Sequence, residues 1–387
     1  MSILDQAKQF LQQNGIGIGN QNPSVLGIDI GSSSIKIVQL RKDKGAAVLE
    51  TYGEISLGPL AEQEVGQATN LPVEKLATAL KDLMRESEVT TKNCGVSVPF
   101  AASLIRLIEV PALDAQKMAT VIPIEARKYI PVPINEVQLD WFIVPETEQR
   151  LFEGAKEPTS EHENQEGPKK RLVLIVAMHK ETLRKYTDVL KQVNLSPSFY
   201  EIEVFSNIRS TISRSLAPVA IIDLGAATSK LYLVELGIVM ASHVIQAGSQ
   251  DITRALASST HISMTKAEDL KRQTGILSVG SSDDAVRVSH AATLTMEHIF
   301  AEARRVLLGF QRKYNKVITK VILTGGGSTL KGLQDFAREQ LELEVEVADP
   351  FTQIQAPAFL ETVLKQAGPD FAVALGLALR KLQESGQ

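Results

Sequence analysis

Two stretches far apart in this 387-residue chain carry one pattern. "VLGIDIGSSSIKIVQL" occupies residues 25–40 and "VAIIDLGAATSKLYLV" residues 219–234. Aligning Asp29 with Asp223 also pairs Val25 with Val219, Gly31 with Gly225 and Lys36 with Lys230. Each copy reads as an apolar strand, an Asp, an apolar residue, a Gly, three small residues and a second apolar strand. A single such cluster is an ordinary turn, because Asp, Gly and Ser are turn residues. Agreement over the whole hairpin constrains the fold much further. It predicts an α/β protein of two pseudo-symmetric domains, each offering one hairpin tip to a shared cleft. The chain is also too long for one ordinary core.

The tips have the chemistry of a phosphate site. Small residues let backbone N–H groups approach phosphate oxygens, and hydroxyls add donors. The candidates are Gly31, Ser32, Ser33 and Ser34 in the first tip, and Gly225, Ala226, Ala227 and Thr228 in the second. Asp29 and Asp223 end the two strands and can hold a Mg²⁺ that keeps most of its waters. Lys36 can neutralise phosphate charge as a point cation. A third element, "KVILTGGGSTLKGLQDF" at 320–336, runs an apolar strand into Gly325, Gly326, Gly327 and Ser328 and then a helix. A glycine turn opening a helix N-terminus suits a nucleotide.

Composition excludes several classes. The hydrophobic share of 44% and charged share of 22% are those of a soluble globular protein. A net charge of −4 provides no basic field for nucleic acid or anionic lipid. No apolar run approaches the roughly 18 residues that span a bilayer, and "MSILDQAKQF" lacks the order of a secretion signal. Cys94 stands alone in "NCGVSV", where it reads as a small buried residue. The six histidines show no metal-ligand spacing. These observations predict a cytosolic protein.

Elsewhere, helical and strand patterns alternate. Ile3, Leu4, Ala7, Phe10 and Leu11 share one helical face. The polar face is nearly neutral, so this helix is expected to dock on protein and not to insert in a membrane. "VEKLATALKDLMRESEV" and "KETLRKYTDVLKQVNL" read as helices, and "NCGVSVPF", "SLIRLIEV" and "RLVLIVAM" as strands. "DAQKMATVIPIEARKYI" is helical with a kink or break at Pro123. Residues 146–170 hold almost nothing to bury and read as a disordered loop. "SVGSSDD" at 278–284 reads as an acidic gap between helices.

With these elements in order, the chain resembles the actin-like ATPase superfamily from residue 24 to 382. The resemblance implies an actin-like fold of two domains, each with a five-stranded sheet flanked by helices, and an FtsA-like inserted subdomain. "TKAEDLK" looks like the superfamily helix whose Glu and Lys reach the nucleoside, here Glu268 and Lys271; an exposed helix with charge pairing is the plainer reading. "EARKYIPVPINEV" (125–137) and "PDFAVALGLALR" (369–380) are similar to segments of the PilM family of type IV pilus proteins. Ser32 in place of a Thr, and Ala247 in place of a Gly, depart from the usual pattern.

That family resemblance implies ATP and Mg²⁺ as cofactors, and a cytoplasmic scaffold peripheral to the inner membrane. The implied partners are the cytoplasmic tail of PilN and other pilus platform proteins; contact with the assembly motor ATPase and self-association stay open. The implied division is an amino-terminal helix and tether at 1–22, subdomain IA at 23–97 and 179–216, inserted subdomain IC at 98–178, IIA at 217–235 and 309–387, and IIB at 236–308. Tyr129 and Ile130, stiffened by neighbouring prolines, offer an apolar anchor for the PilN tail; equally, both fill the core of the inserted subdomain. Glu203 in "YEIEVFSN" matches the acid that orients the hydrolytic water, or is an exposed or salt-bridged helix residue. A scaffold with slow or absent turnover is the expectation. The alternatives are a cycling ATPase, an FtsA- or MreB-like filament former, or the equivalent part of a type II secretion or competence machine.

Overall fold

The computed structural model describes residues 24–153, 170–212, 217–276 and 282–384. The amino-terminal helix expected at 3–11 lies outside them. The chain opens with β1 (Val25–Ile30), β2 (Ser34–Asp43) and β3 (Ala46–Ser56), followed by α1 (Val73–Glu86) and β4 (Asn93–Val98). It then detours through β5 (Ser103–Pro111), α2 (Ala115–Ala126), β6 (Val137–Ile143), α3 (Glu146–Glu153) and β7 (Lys170–His179). It returns through α4 (Lys180–Gln192), β8 (Ser196–Ile202) and α5 (Glu203–Thr211). The second half holds β9 (Val219–Leu224), β10 (Ser229–Glu235), β11 (Ile238–Ile245), α6 (Ser249–Thr260), α7 (Met264–Thr274) and α8 (Asp283–Tyr314). It closes with β12 (Lys320–Thr324), α9 (Leu333–Leu341), β13 (Glu344–Val347) and α10 (Glu361–Glu384).

The two large sheets have the same topology, β3-β2-β1-β4-β8 and β11-β10-β9-β12-β13. In each, an antiparallel hairpin leads into parallel strands. The repeat seen in the sequence falls on the same register: Asp29 pairs with Lys36 across β1–β2, and Asp223 with Lys230 across β9–β10. Central strands covered on both faces must be apolar throughout, and β9 is buried at all six positions. The detour forms a separate sheet, β5-β7-β6.

One helix ties the halves together. Every residue of α10 from Phe371 to Leu379 is buried, as an all-round apolar helix must be. It packs against α5 so closely that a Cβ on Gly376 would lie 2.0 Å from the Ser206 carbonyl oxygen.

Three local expectations need correction. The segment read as a loop at 146–170 begins with α3, which buries Phe152 in the core; one large aromatic outweighs the acidic composition around it. Residues 154–169 lie outside the described part. Helix α2 continues through Pro123 to Ala126, with Met118, Ile122 and Ala126 buried at helical spacing. The missing N–H falls in the last turn, where the packed face offsets its loss. Asp283 and Asp284, read as part of a gap, form the first turn of α8, where acids complement the helix dipole; Ser282 Oγ accepts from the Ala285 N–H at 3.2 Å. Cys94 is buried, as expected.

Candidate functional site

The two hairpin tips face one another across a cleft of about 840 Å³. Each tip closes with the same hydrogen bond, Gly31 N–H to Ser34 O at 3.0 Å and Gly225 N–H to Thr228 O at 3.2 Å. The tip carbonyls are engaged on the outer side. Ser32 O accepts from Thr69 N–H at 2.7 Å and Ser33 O from Leu57 N–H at 2.8 Å. Gly225 O and Ala226 O accept from Ser249 and Gln250 N–H at 2.9 and 3.0 Å. A planar trans peptide points its N–H opposite to its C=O. The N–H groups of Ser33 and Ala226 are therefore turned away from those partners, and both residues line the cleft.

The glycine turn after β12 completes the wall. Gly325 has a φ of +79°, and a Cβ there would lie 2.4 Å from Asp223 Oδ1. Only glycine permits both the conformation and the approach. Gly326, Gly327 and Ser328 line the cleft in a short 3₁₀ turn. Helix α9 starts later, at Leu333 behind Gly332, so the triple glycine does not itself cap a helix.

Charge crowds the cleft floor. Asp29 accepts from Ser97 Oγ at 2.6 Å. Lys36 Nζ lies 3.0 Å from Asp370, 3.3 Å from Glu54 and 2.8 Å from Ser34 Oγ. Lys230 Nζ lies 2.8 Å from Glu203 and 3.3 Å from Asp223. Burial alone would lower the pKa of each lysine, but the carboxylates outweigh it and raise both. Burial pushes the pKa of Asp29, Glu203 and Asp370 up, against the pull of Lys36 or Lys230. Such a floor, with more carboxylates than lysines, suits a polyanion that brings its own divalent cation. Among the described residues no group of three or more His, Cys, Asp or Glu could hold a metal ion unaided.

Glu268 and Lys271 line the same cleft from α7 and are buried, which rules out the exposed-helix reading. They pair at 2.6 Å, and Glu268 also accepts from Thr253 Oγ1 at 2.7 Å and Arg272 at 2.9 Å. Burial would raise the pKa of Glu268, but Lys271 and these donors hold it below the usual carboxylate range. Glu203 also lines the cleft and is buried, so it is salt-bridged and not exposed. Its second oxygen accepts from the Phe100 N–H at 2.6 Å.

The remaining candidates sit elsewhere. Ala227 and Thr228 belong to the second tip, and Thr228 acts there through its carbonyl. Tyr129 and Ile130 pack in the core of the three-stranded sheet, with the Arg106 guanidinium 4.6 Å from the Tyr129 ring centroid. Ile130 is 8% exposed, so its apolar surface is already spent on that core and its reading as a partner anchor is corrected. Sequence reasoning missed Glu54, Asn207, Arg272 and Asp370, all of which line the cleft. Only Asp370 carried a signal: it follows Pro369 as Glu203 follows β8, each acid leading a buried helical stretch.

Two matched five-stranded sheets, an inserted three-stranded sheet and paired tips across a cleft define an actin-like ATPase fold. The family model described as type IV pilus assembly protein PilM matches residues 27–382, and the chain belongs to that family. It is similar to the solved "PilM-PilN type IV pilus biogenesis complex", with 25% identity over 92% of this chain and 98% of that one, at a TM-score of 0.75. Ethanolamine utilization protein EutJ from Carboxydothermus hydrogenoformans shares the fold at 14% identity, covering 98% of this chain and 99% of its own, with a TM-score of 0.51. MreB 5 of Spiroplasma citri bound to AMPPNP does so at 13% identity, covering 94% and 99%, with a TM-score of 0.51. Among the described residues no helix is long and apolar enough to cross a membrane.

Proposed function

We propose that this chain is a nucleotide-binding scaffold of the type IV pilus assembly platform, holding Mg·ATP in the cleft and the cytoplasmic tail of PilN beside it. The convergence of both hairpin tips and the glycine turn on one cleft carries the nucleotide reading. Ser33 and Ala226 N–H groups and Lys36 would meet phosphate oxygens. Asp29 and Asp223 would hold Mg²⁺ through its waters, the cation supplying charge neutralisation between acids and phosphates. Glu268, Lys271 and the turn Gly325–Ser328 would flank the nucleoside. Turnover is slow or absent, because both oxygens of Glu203 are engaged and no free base faces the cleft from that position. The subdomain division given above belongs to the same reading.

The partner reading rests on the likeness to a protein solved with PilN. A groove of about 440 Å³ lies where the inserted sheet meets both halves, lined by Trp141, Phe142, Tyr200, Phe205, Ile238 and Arg380. Phe142 is 51% exposed, which suits an aromatic anchor site for a peptide. Tyr129, in the turn after α2, packs against the core of the same inserted sheet and is proposed only as a secondary contact. Through this tail the protein would sit peripherally at the inner membrane. Titration of a fluorescent ATP analogue, and calorimetry with a PilN tail peptide, test both halves. Expected are Mg²⁺-dependent binding that Asp223→Ala weakens at least tenfold, and micromolar-scale peptide binding. Equal nucleotide affinity in the variant would count against the site, and brisk hydrolysis with no peptide heat would replace this reading with a cycling ATPase.

A further inference from the structure

The floor of the cleft contains a buried polar atom that the protein leaves unused. Asn207 lines the cleft and is 1% exposed, and its Oδ1 has no hydrogen-bond partner among the described residues. A buried acceptor without a partner is costly, so native structures seldom keep one without a reason. Asn207 sits on α5 one turn beyond Glu203, which places the two side chains on one helix face. Their situations differ. Glu203 spends one oxygen on the Phe100 N–H and the other on Lys230. Asn207 spends its amide oxygen on nothing among the described residues.

The position along the cleft identifies what would meet that amide. On the nucleotide reading proposed above, on which this inference rests, the nucleoside lies against α7 and the glycine turn. The phosphates then run between the tips toward α5, so the terminal phosphate is the part that approaches Asn207. A phosphate oxygen cannot donate to Oδ1, but a water can donate to Oδ1 and to the phosphate together. A water also suits either orientation of the amide. We propose that Asn207 is the terminal-phosphate sensor of this protein, holding an ordered water between its side-chain amide and the last phosphate of a nucleoside triphosphate. Glu203 is then a positioning residue, which fixes Lys230 and the Phe100 backbone and leaves water-binding to its neighbour.

The test compares the full-length protein with Asn207→Leu, which matches the side chain in size and cannot hydrogen-bond. Asn207→Ala, which cannot clash, serves as a second variant. Affinities for a non-hydrolysable ATP analogue and for ADP are measured with Mg²⁺ by calorimetry, and melting temperature without nucleotide is recorded for each protein. In both variants the analogue should bind about tenfold more weakly, while ADP affinity stays within about twofold. The nucleotide-free Asn207→Leu protein should melt no lower than wild type, since an unpaired buried acceptor has been removed. A purely structural role would lower the melting temperature and spare the difference between the two nucleotides. Unchanged analogue affinity, or equal losses for analogue and ADP, overturns the sensor and leaves the nucleotide site standing. Failure of the wild-type protein to bind either nucleotide overturns the nucleotide reading itself, and the sensor with it.

Discussion

Replacing Gly376 by Ala should open the floor of the cleft. The new Cβ would lie 2.0 Å from the Ser206 carbonyl oxygen, 2.6 Å from its carbon and 2.9 Å from its Cα, whereas ordinary contact begins at 3.4 Å. All three atoms are backbone, so no side chain can swing aside, and α5 and α10 must separate by more than about an ångström. Overpacking of a core costs about 1–3 kcal/mol. The shift also strains the hydrogen bond from Arg209 Nη1 to Gly376 O, now 3.0 Å, and bonds from charged donors are worth about 1.5–3 kcal/mol. Arg209 keeps Glu201 as a partner, so the total is about 3–4 kcal/mol and the melting temperature should fall on the order of 10 °C. Gly309 is the control. It sits within α8 with nothing within 4 Å of an added Cβ, so Gly309→Ala should stabilise by about 0.5–1 kcal/mol through helix propensity. Because α5 carries Glu203 and Asn207 while α10 carries Asp370, Gly376→Ala should also weaken nucleotide binding, and Gly309→Ala should not. Calorimetric melting with parallel nucleotide titration reads both quantities. A Gly376→Ala protein that melts and binds like wild type would refute the close crossing. Lower stability with intact binding would show that the crossing does not set the cleft.

Changing Glu268 and Lys271 together to Ala should weaken ATP and ADP by the same factor, about tenfold, because neither residue is placed to sense the terminal phosphate; a loss confined to ATP contradicts the nucleoside assignment. Acidification should weaken Mg²⁺-dependent nucleotide binding earlier than ordinary carboxylates would. The pKa of Asp29 is raised by burial, so the proton competes with the cation from a higher pH. In the free protein the sign is opposite: the folded state of a raised acid binds protons more readily, so the destabilisation by this buried carboxylate is relieved as pH falls through the raised pKa toward the ordinary carboxylate value. Titrations with ADP from about pH 8 to about pH 5 should show a steeper loss for wild type than for Asp29→Asn; parallel slopes would exclude this group. In the groove, Phe142→Ala should weaken a PilN tail peptide about tenfold and leave nucleotide affinity unchanged, and an equal loss of both would point to misfolding.

What was legible in the sequence is what the chain makes locally. A hairpin tip is one continuous segment, so Asp29 with Gly31–Ser34, and Asp223 with Gly225–Thr228, announce themselves by residue type and spacing. The glycine turn is legible for the same reason. Asn207, Glu54 and Arg272 reach the cleft only because helices and strands cross it, and nothing in their own neighbourhoods marks them. Tyr129 and Ile130, which the sequence left open between anchor and core, show the reverse difficulty. A proline-stiffened apolar pair looks alike whether it faces a partner or a core, and here the β5-β7-β6 sheet covers it. Helix α3 was hidden because its acidic residues dominate its composition, while a single Phe152 decides its packing.

The symmetry of the two halves extends past the hairpins into the electrostatics. Lys36 and Lys230 occupy matching register positions opposite Asp29 and Asp223. Lys230 is held by Glu203, the first residue of α5, and Lys36 by Asp370, which follows Pro369 in α10. These two helices cross where Gly376 meets Ser206. Each half therefore uses one device, a hairpin lysine fixed by an acid from a helix running beneath the cleft. The pairing leaves the central floor with five carboxylates, from Asp29, Glu54, Glu203, Asp223 and Asp370, against Lys36 and Lys230. An anion entering alone would meet this excess of negative charge, which on the proposed reading an accompanying divalent cation would offset. Among the described residues the two lysines are meanwhile the cations that link the tips to the two crossing helices. On the reading proposed above, a phosphate that draws on them would compete with Glu203, at the start of α5, and with Asp370, within α10. Arg380 of α10 and Phe205 of α5 line the groove proposed for the peptide. The same two helices thus line both the cleft and that groove, so the nucleotide and peptide readings proposed above share these two elements.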